Sequence, residues 1–265
     1  MELKHKILPF LSVCYRIFFG LTGVNPINIG RNFWGLPTYI RNWVTYNRDC
    51  SSESSFKIRL AHIHPRLGDR YQNAGTAKGD YFHQDLWVAR KIFIANPNEH
   101  WDIGSRVDGF VAHLLSFRNV NVIDIRALDS KIPGLIFYQG DVTALDIPNN
   151  SIESLSCLHA MEHVGLGRYG DQIDPEGCFK GMQEIQRVLA PGGRLYFSVP
   201  IGKERLEFDA HRIFDPLTVI EIFSSLNLIE FAAVNGIGDL IDPAQLEDFR
   251  SVPRALGLFV FEKSL

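Results

Sequence analysis

Cysteine is sparse in this chain, and no spacing pairs it. Cys14, Cys50, Cys157 and Cys178 are the only four among 265 residues, and no two form a C-x-x-C. That excludes a zinc knuckle and the disulfide framework of a small secreted domain, and it predicts a reducing, cytoplasmic setting. An excess of charge is missing too. The 27 basic and 30 acidic residues leave a net charge of −3, which argues against an electrostatic nucleic-acid binder, so no nucleic-acid partner is expected. No apolar run reaches the roughly 20 residues of a membrane span. The nearest approach, KHKILPFLSVCYRIFFGLTG, is interrupted by Arg16 and followed by no small-residue cleavage site. Glycine (22) and proline (13) are too few for a collagen-like or disordered chain, and no internal repeat is present.

What is present is a globular composition, 46% hydrophobic and 22% charged. At roughly 150 residues per domain, the length suits one large domain or one domain with an extension. In residues 1–23, Lys4, Lys6 and Arg16 stand among Ile7, Leu8, Phe10, Leu11, Phe18 and Phe19. Such a segment fits a helix packed on the main domain, or an interfacial helix in peripheral contact with the inner face of the membrane. Up to residue 98, turn-rich pieces such as NPINIGRN and RDCSSESS alternate with short apolar stretches. The pattern predicts an N-terminal extension and cap over 1–98, with one helix at QDLWVARKIFIA.

From residue 99 short β-rich runs alternate with helical ones, predicting βαβ units in a domain over 99–265. Strands are expected at EHWDIG, VNVIDI, LIFYQGD, IESLSCLHA, RLYFSVP, LIEFAAVN and LGLFVFEK. A helix over about 175–189 is expected to turn Phe179, Met182, Ile185 and Leu189 to one face, and another is capped by Asp215 with Pro216 in its first turn. The expected fold is α/β, a doubly wound, mostly parallel sheet of seven strands with a helical N-terminal cap.

In such a sheet the ligand lies beyond the carboxyl ends of the strands, at the switch in strand order. The first strand ends in Asp102-Ile103-Gly104-Ser105-Arg106, and the second ends in Asp124, twenty residues after Gly104. An acid at that spacing accepts hydrogen bonds from ribose hydroxyls of a nucleoside cofactor. A dinucleotide needs glycine where the backbone approaches its pyrophosphate, yet Arg106 and Asp108 stand there, which disfavours an NAD-dependent reductase. S-adenosylmethionine has no pyrophosphate, and Asp102 could face its ammonium group.

The chain here resembles the class I S-adenosylmethionine-dependent methyltransferases, in a less characterised branch with a DIGSR first-strand motif. The resemblance covers about residues 99–263 and rests on WDIGSR, VIDIR, GDVTALDIPNNSIESLSCLHAMEHVG and EIQRVLAPGGRLYFSVP, in that order. It implies an antiparallel last strand. It also implies that Asp102, Gly104 and Ser105 line the methionine end of the cofactor, Asp124 and Ile125 the ribose, Asp141 and Val142 the adenine, and His159 the wall beside the sulfonium. YFHQDLWVARKI looks like a lead-in helix that offers Tyr81 and Gln84 to the cofactor.

His159-Ala160-Met161-Glu162-His163 matches the H-x-x-E-H pattern of some zinc peptidases, but it straddles a strand end instead of lying on one helical face. Some similar methyltransferases bind a divalent ion through a Glu-His pair in this loop. The reading adopted is that Glu162 and His163 fix the loop by hydrogen bonds, with no metal. The expected reaction is methyl transfer to an oxygen or nitrogen of a small or glycan-linked acceptor, with a sugar hydroxyl of surface-polysaccharide assembly as first choice. His211, after the fifth strand, is the expected general base, with His163 next. The competing class is a binding module that keeps the fold without the reaction.

Overall fold

The computed structural model describes residues 26–71 and 74–265. Contacts divide the chain into two compact units, Met1–Thr76 and Ala77–Leu265. In the first, helix α1 spans Pro26–Asp49 and carries Pro37 inside it. The hydroxyls of Tyr46 and Tyr71 donate to the carbonyls of Phe56 and Trp34, at 2.8 and 3.1 Å, tying the following segment to this helix. NPINIGRN therefore opens a helix and not a turn, with Pro26 at its first position, where a missing N–H costs nothing. The expected segment over 1–23 lies outside the described residues. No helix among the described residues is long and apolar enough to cross a membrane.

The second compact unit begins at Ala77, so it includes the helix that the sequence places at QDLWVARKIFIA. Helix α2 (Asp80–Ala95) belongs to the second unit because its apolar face, Trp87, Val88, Ala89 and Ile92, is buried in that unit's core. Asn96, in the left-handed conformation at φ 43°, ends the helix.

Seven of the second unit's strands are those the sequence predicts. They are β1 (Trp101–Ile103), β2 (Val120–Asp124), β3 (Leu135–Gln139), β4 (Ile152–Leu158), β5 (Leu189–Ile201), β8 (Leu226–Val234) and β10 (Ala255–Lys263). Two short ones, β6 (Arg205–Glu207) and β7 (His211–Ile213), form a separate antiparallel ribbon. The eighth strand of the main sheet is β9 (Leu240–Ile241), too short to leave a pattern. The order is β3-β2-β1-β4-β5-β10-β8-β9. β1 to β5 run parallel, and β10 enters antiparallel between β5 and β8.

Apolar residues occupy both faces of the central strands, as a sheet covered on both sides requires. On one face Leu155, Cys157, Leu195 and Phe197 pack with Cys178, Met182, Ile185 and Val188 of α4 (Gly177–Val188) and with Val219 of α5 (Pro216–Ile222). Met182 and Ile185 lie in the buried stripe of α4 as predicted, Cys178 and Val188 complete it, and Leu189, buried as expected, already begins β5. On the other face Val120, Val122, Tyr196 and Leu258 meet α2 and the short helix α3 (Ala112–Leu115) with its preceding turn at Val107–Val111. Asp215 caps α5 as predicted, its carboxylate accepting from Leu217 N at 2.9 Å.

Candidate functional site

Strand order reverses between β1 and β4, and beyond their carboxyl ends lies a cavity of about 640 Å³. Tyr81, Gln84, Gly104, Ser105, Asp124, Ile125, Asp141, Val142, His159 and His163 line it; Asp102 and His211 do not.

Asp102 is wholly buried and serves the loop behind the wall. Its Oδ1 accepts from the hydroxyls of Ser105 (2.8 Å) and Ser156 (2.5 Å), and its Oδ2 from Ser105 N (3.1 Å). Burial pushes its pKa up to about 6, against the pull of those serine donors. The expectation that Asp102 faces the ligand is thus corrected: three donors from the protein itself hold the carboxylate. Gly104 turns the chain at φ 74°, and a Cβ there would stand 2.8 Å from that of Ala160, so the loop reaches this position only with glycine. Arg106 and Asp108, which stand where a dinucleotide would need glycine, pair with each other at 2.8 Å with side chains 67% and 74% exposed. They stand at the rim.

Sequence reasoning missed Asp85. It is buried on α2, accepts from Gln84 Nε2 at 3.0 Å, and lines the cavity beside Gly109, where a Cβ would come within 3.3 Å of Asp85 Oδ2. Burial raises its pKa. The signal was its place one helical turn after Tyr81. Arg126 was missed as well: its Nε and Nη2 donate to Asp124 Oδ1 and Oδ2 at 2.9 and 2.6 Å, while its guanidinium lies 4.7 Å from the centre of the Tyr169 ring. Asp141 Oδ1 accepts from the N–H and the hydroxyl of Thr143, both at 2.8 Å, closing a turn that presents Val142.

The opposite wall is built on the turn after β4. His159, left-handed at φ 54°, donates its N–H to Ser198 O at 2.9 Å, and its ring stacks on Tyr81 with centroids 5.2 Å apart. The Ser198 hydroxyl donates to Gln84 Oε1 at 2.6 Å, so α2 and the end of β5 hold this wall together. Glu162 is fully buried, and its side chain meets two imidazoles, His159 through Nδ1 and His163 through Nε2, the latter at 3.4 Å. Burial opposes charge on the His159 ring, but Glu162 and Asp80 outweigh it and hold the pKa at about 9. His163 donates from Nδ1 to Ala210 O at 2.7 Å, the tautomer being assigned from that acceptor, and burial lowers its pKa.

His211 sits at the start of β7, edge-on to His163 with centroids 6.2 Å apart and Nε2 3.5 Å from Glu207 Oε2. The ribbon turns it toward Glu207 and behind His163, so the histidines on the cavity are His159 and His163.

The sequence model of a family described as "Caenorhabditis protein of unknown function, DUF268" matches residues 146–243. That span holds the His159–His163 turn and His211 but not the loop after β1. None of the curated proteins matches this chain in sequence. Among solved structures, the chain is similar to the [4+2]-cyclase SpnF at 13% identity and a TM-score of 0.52, over 73% of this chain and 85% of that one. It is also similar to the N-methyltransferase NodS from Bradyrhizobium japonicum WM9 in complex with S-adenosyl-L-homocysteine, at 13% identity and a TM-score of 0.45, over 70% and 88%. A putative sarcosine dimethylglycine methyltransferase from Galdieria sulphuraria gives 13%, 0.47, 69% and 86%. At 13% identity the likeness to SpnF shows the fold alone, an α/β sheet wound on both faces, and leaves the reaction to the site.

Proposed function

We propose that this protein transfers a methyl group from S-adenosylmethionine to an oxygen or nitrogen of a small or glycan-linked acceptor. The observation that carries the reading is the convergence of the Gly104 loop, Asp124 and the Asp141–Val142 turn on one cavity at the strand switch point. The donor set fits the cofactor in parts. Asp124 offers carboxylate oxygens to the ribose hydroxyls, Val142 an apolar wall and Asp141 a polar edge to the adenine. Buried Asp85, with Gly104 and Ser105, offers an acid and close backbone to the amino-acid end. The pair Arg106–Asp108 replaces the open glycines a pyrophosphate needs, which argues against a dinucleotide.

When bound, the cofactor supplies an electrophilic methyl on its sulfonium. The protein's own work is alignment of the acceptor with that methyl and exclusion of water. Tyr81 and His159, stacked, close the side next to the acceptor, and Gln84 fixes their support through Ser198. For the acceptor, a sugar hydroxyl is favoured by the family resemblance alone, and peripheral contact of residues 1–23 with a membrane by Lys4, Lys6 and Arg16 standing among apolar residues.

Calorimetric titration with S-adenosylhomocysteine tests the cofactor, and mass spectrometry of a glycan extract incubated with labelled S-adenosylmethionine tests the transfer. Saturable binding and a labelled glycan are expected. Absence of binding overturns the reading, and binding without transfer to any acceptor class would favour the non-catalytic module.

A further inference from the structure

Helix α1 turns its polar side inward. At 3.6 residues per turn Asn32, Gly35 and Tyr46 share one face, and that face packs on the segment that follows in the same unit. A Cβ on Gly35 would run into Leu67 O, one on Gly68 would stand 3.2 Å from Asn32 Oδ1, and the Tyr46 hydroxyl holds Phe56 O. The other face carries Phe33, Leu36, Ile40, Trp43 and Val44, at i, i+3, i+7, i+10 and i+11. It is open to solvent, with Phe33 72%, Ile40 49% and Val44 57% exposed. Trp34, 79% exposed, flanks this stripe together with Arg41 and Arg48 at i+7 and i+14. A helix of a folded unit ordinarily buries its apolar stripe and wets its polar one. A contiguous apolar face left in water marks a surface that meets something else.

We propose that this face of α1 lies in the headgroup region of a bilayer rich in anionic lipid. Charge argues for that occupant. Met1–Thr76 holds ten Lys and Arg against four Asp and Glu, a net charge of +6 in a chain whose total is −3. Within α1 the basic residues are Arg31, Arg41 and Arg48, and the one acid, Asp49, is paired with Arg48 at 2.8 Å. A second copy would bring +6 against +6, so charge opposes self-association through this face. Nucleic acid would answer the charge, but its phosphates have no use for an aliphatic and aromatic stripe. A negatively charged bilayer answers both.

The stripe from Phe33 to Val44 is about 17 Å long at 1.5 Å per residue, far short of the roughly 30 Å of a hydrocarbon core, so α1 lies along the surface instead of crossing it. In that orientation the rings of Trp34 and Trp43 sit where an apolar body and a polar N–H are both accommodated, and Arg41 and Arg48 reach lipid phosphates from the flank. Membrane contact through α1 depends neither on methyl transfer nor on residues 1–23.

The experiment uses the full chain and vesicles of phosphatidylcholine, alone or mixed with phosphatidylglycerol. Sedimentation with the mixed vesicles is expected, weaker at high salt and on phosphatidylcholine alone, with a blue shift of tryptophan emission that brominated lipid quenches. Trp87 is buried and Trp101 partly so, which leaves Trp34 and Trp43 to report the shift. The double variant Ile40→Asp/Val44→Asp changes two exposed side chains, and its fold is checked by circular dichroism. It is expected to bind the mixed vesicles about ten-fold more weakly or worse, and Arg41→Gln about five-fold more weakly. No sedimentation of the wild-type protein with mixed vesicles overturns the proposal, as does undiminished binding by the folded double variant. If the same two substitutions instead convert a wild-type dimer to monomer, or abolish binding to a duplex oligonucleotide, a second copy or nucleic acid is the occupant and the proposal falls.

Discussion

The Ser156 hydroxyl donates to Asp102 Oδ1 at 2.5 Å and stands 3.0 Å from His100 Nε2, so one side chain of β4 joins two buried titratable groups of β1 and its approach. The directions along this chain are mutually consistent. Ser156 gives its proton to Asp102, accepts from His100 Nε2–H, and leaves His100 Nδ1 to accept from Ser154 at 2.8 Å. Asp102 in turn holds Ser105 and the ligand loop. The interior of the sheet thus sets the shape of the cavity edge.

Asp102 makes stability fall as pH rises. Its folded pKa, about 6, lies above the usual carboxyl value near 3.9, so its unfavourable ionisation is absent below pH 4 and complete above pH 6. The difference corresponds to about 3 kcal/mol. Asp102→Asn removes this dependence. Urea melts between pH 4 and 7 are expected to show the variant gaining about that much relative to the wild type as pH rises. Parallel profiles would refute the assignment.

His100 works in the opposite sense. Burial, with a smaller push from Arg118, lowers its pKa from the usual 6.5 to about 3, so unfolding takes up a proton the folded state refuses. Stability is lost as pH falls from 6.5 toward 3, by about 4–5 kcal/mol in full. Between pH 6 and 4 the two groups nearly cancel, and below 4 only His100 acts. His100→Gln is therefore expected to convert a flat limb between pH 6 and 4 into one that rises toward acid. A variant that keeps the wild-type acid limb would show that His100 is not its source.

Legibility of these features in the sequence depended on how local their cause is. VNVID and RLYFSVP announce strands because they are apolar on both faces, and Asp215-Pro216 announces its helix because a cap needs only its own neighbours. Strand-end acids could be found, but not which way they turn. Asp102 faces inward only because Ser156, 54 residues later, is placed beside it by the pairing of β1 with β4. His211 turns away from the cavity for a similarly non-local reason: the register of a three-residue ribbon decides whether it meets the cavity or Glu207. The H-x-x-E-H spacing was visible, yet the same spacing on a helix or on a strand end gives different rings of contacts, and the orphaned Glu162 oxygen appears only with the fold.

Gly104→Ala tests the loop. A methyl group there meets Ala160 at 2.8 Å, on a backbone with φ 74° that L-residues adopt at a penalty. A loss of about 1–3 kcal/mol in stability is expected, together with loss of S-adenosylhomocysteine binding. Gly75→Ala, whose Cβ meets nothing within 4 Å, is the control and should leave both unchanged. Wild-type affinity in Gly104→Ala would place the ligand elsewhere.

The last prediction separates Asp124 from its partner. In the ligand-free protein Arg126 occupies both carboxylate oxygens through its side chain, and its own N–H takes a further site on Oδ1 at 2.8 Å. Ribose hydroxyls must therefore displace or share the guanidinium. Asp124→Ala removes the acceptor, and each charge-assisted hydrogen bond lost costs about 1.5–3 kcal/mol, or roughly 10- to 150-fold in affinity. Arg126→Met removes only the competitor. Because that guanidinium is half-exposed, the pair is worth at most about 1 kcal/mol, so binding should tighten by a few-fold and no more. Screening supports the same distinction. Higher salt weakens the Arg126–Asp124 pair and should slightly strengthen binding in the wild type, with no such trend in Arg126→Met. Calorimetry of the three proteins at two ionic strengths measures all of this. If Arg126→Met binds as poorly as Asp124→Ala, Arg126 is a ligand contact rather than a competitor, and the carboxylate is reached through it.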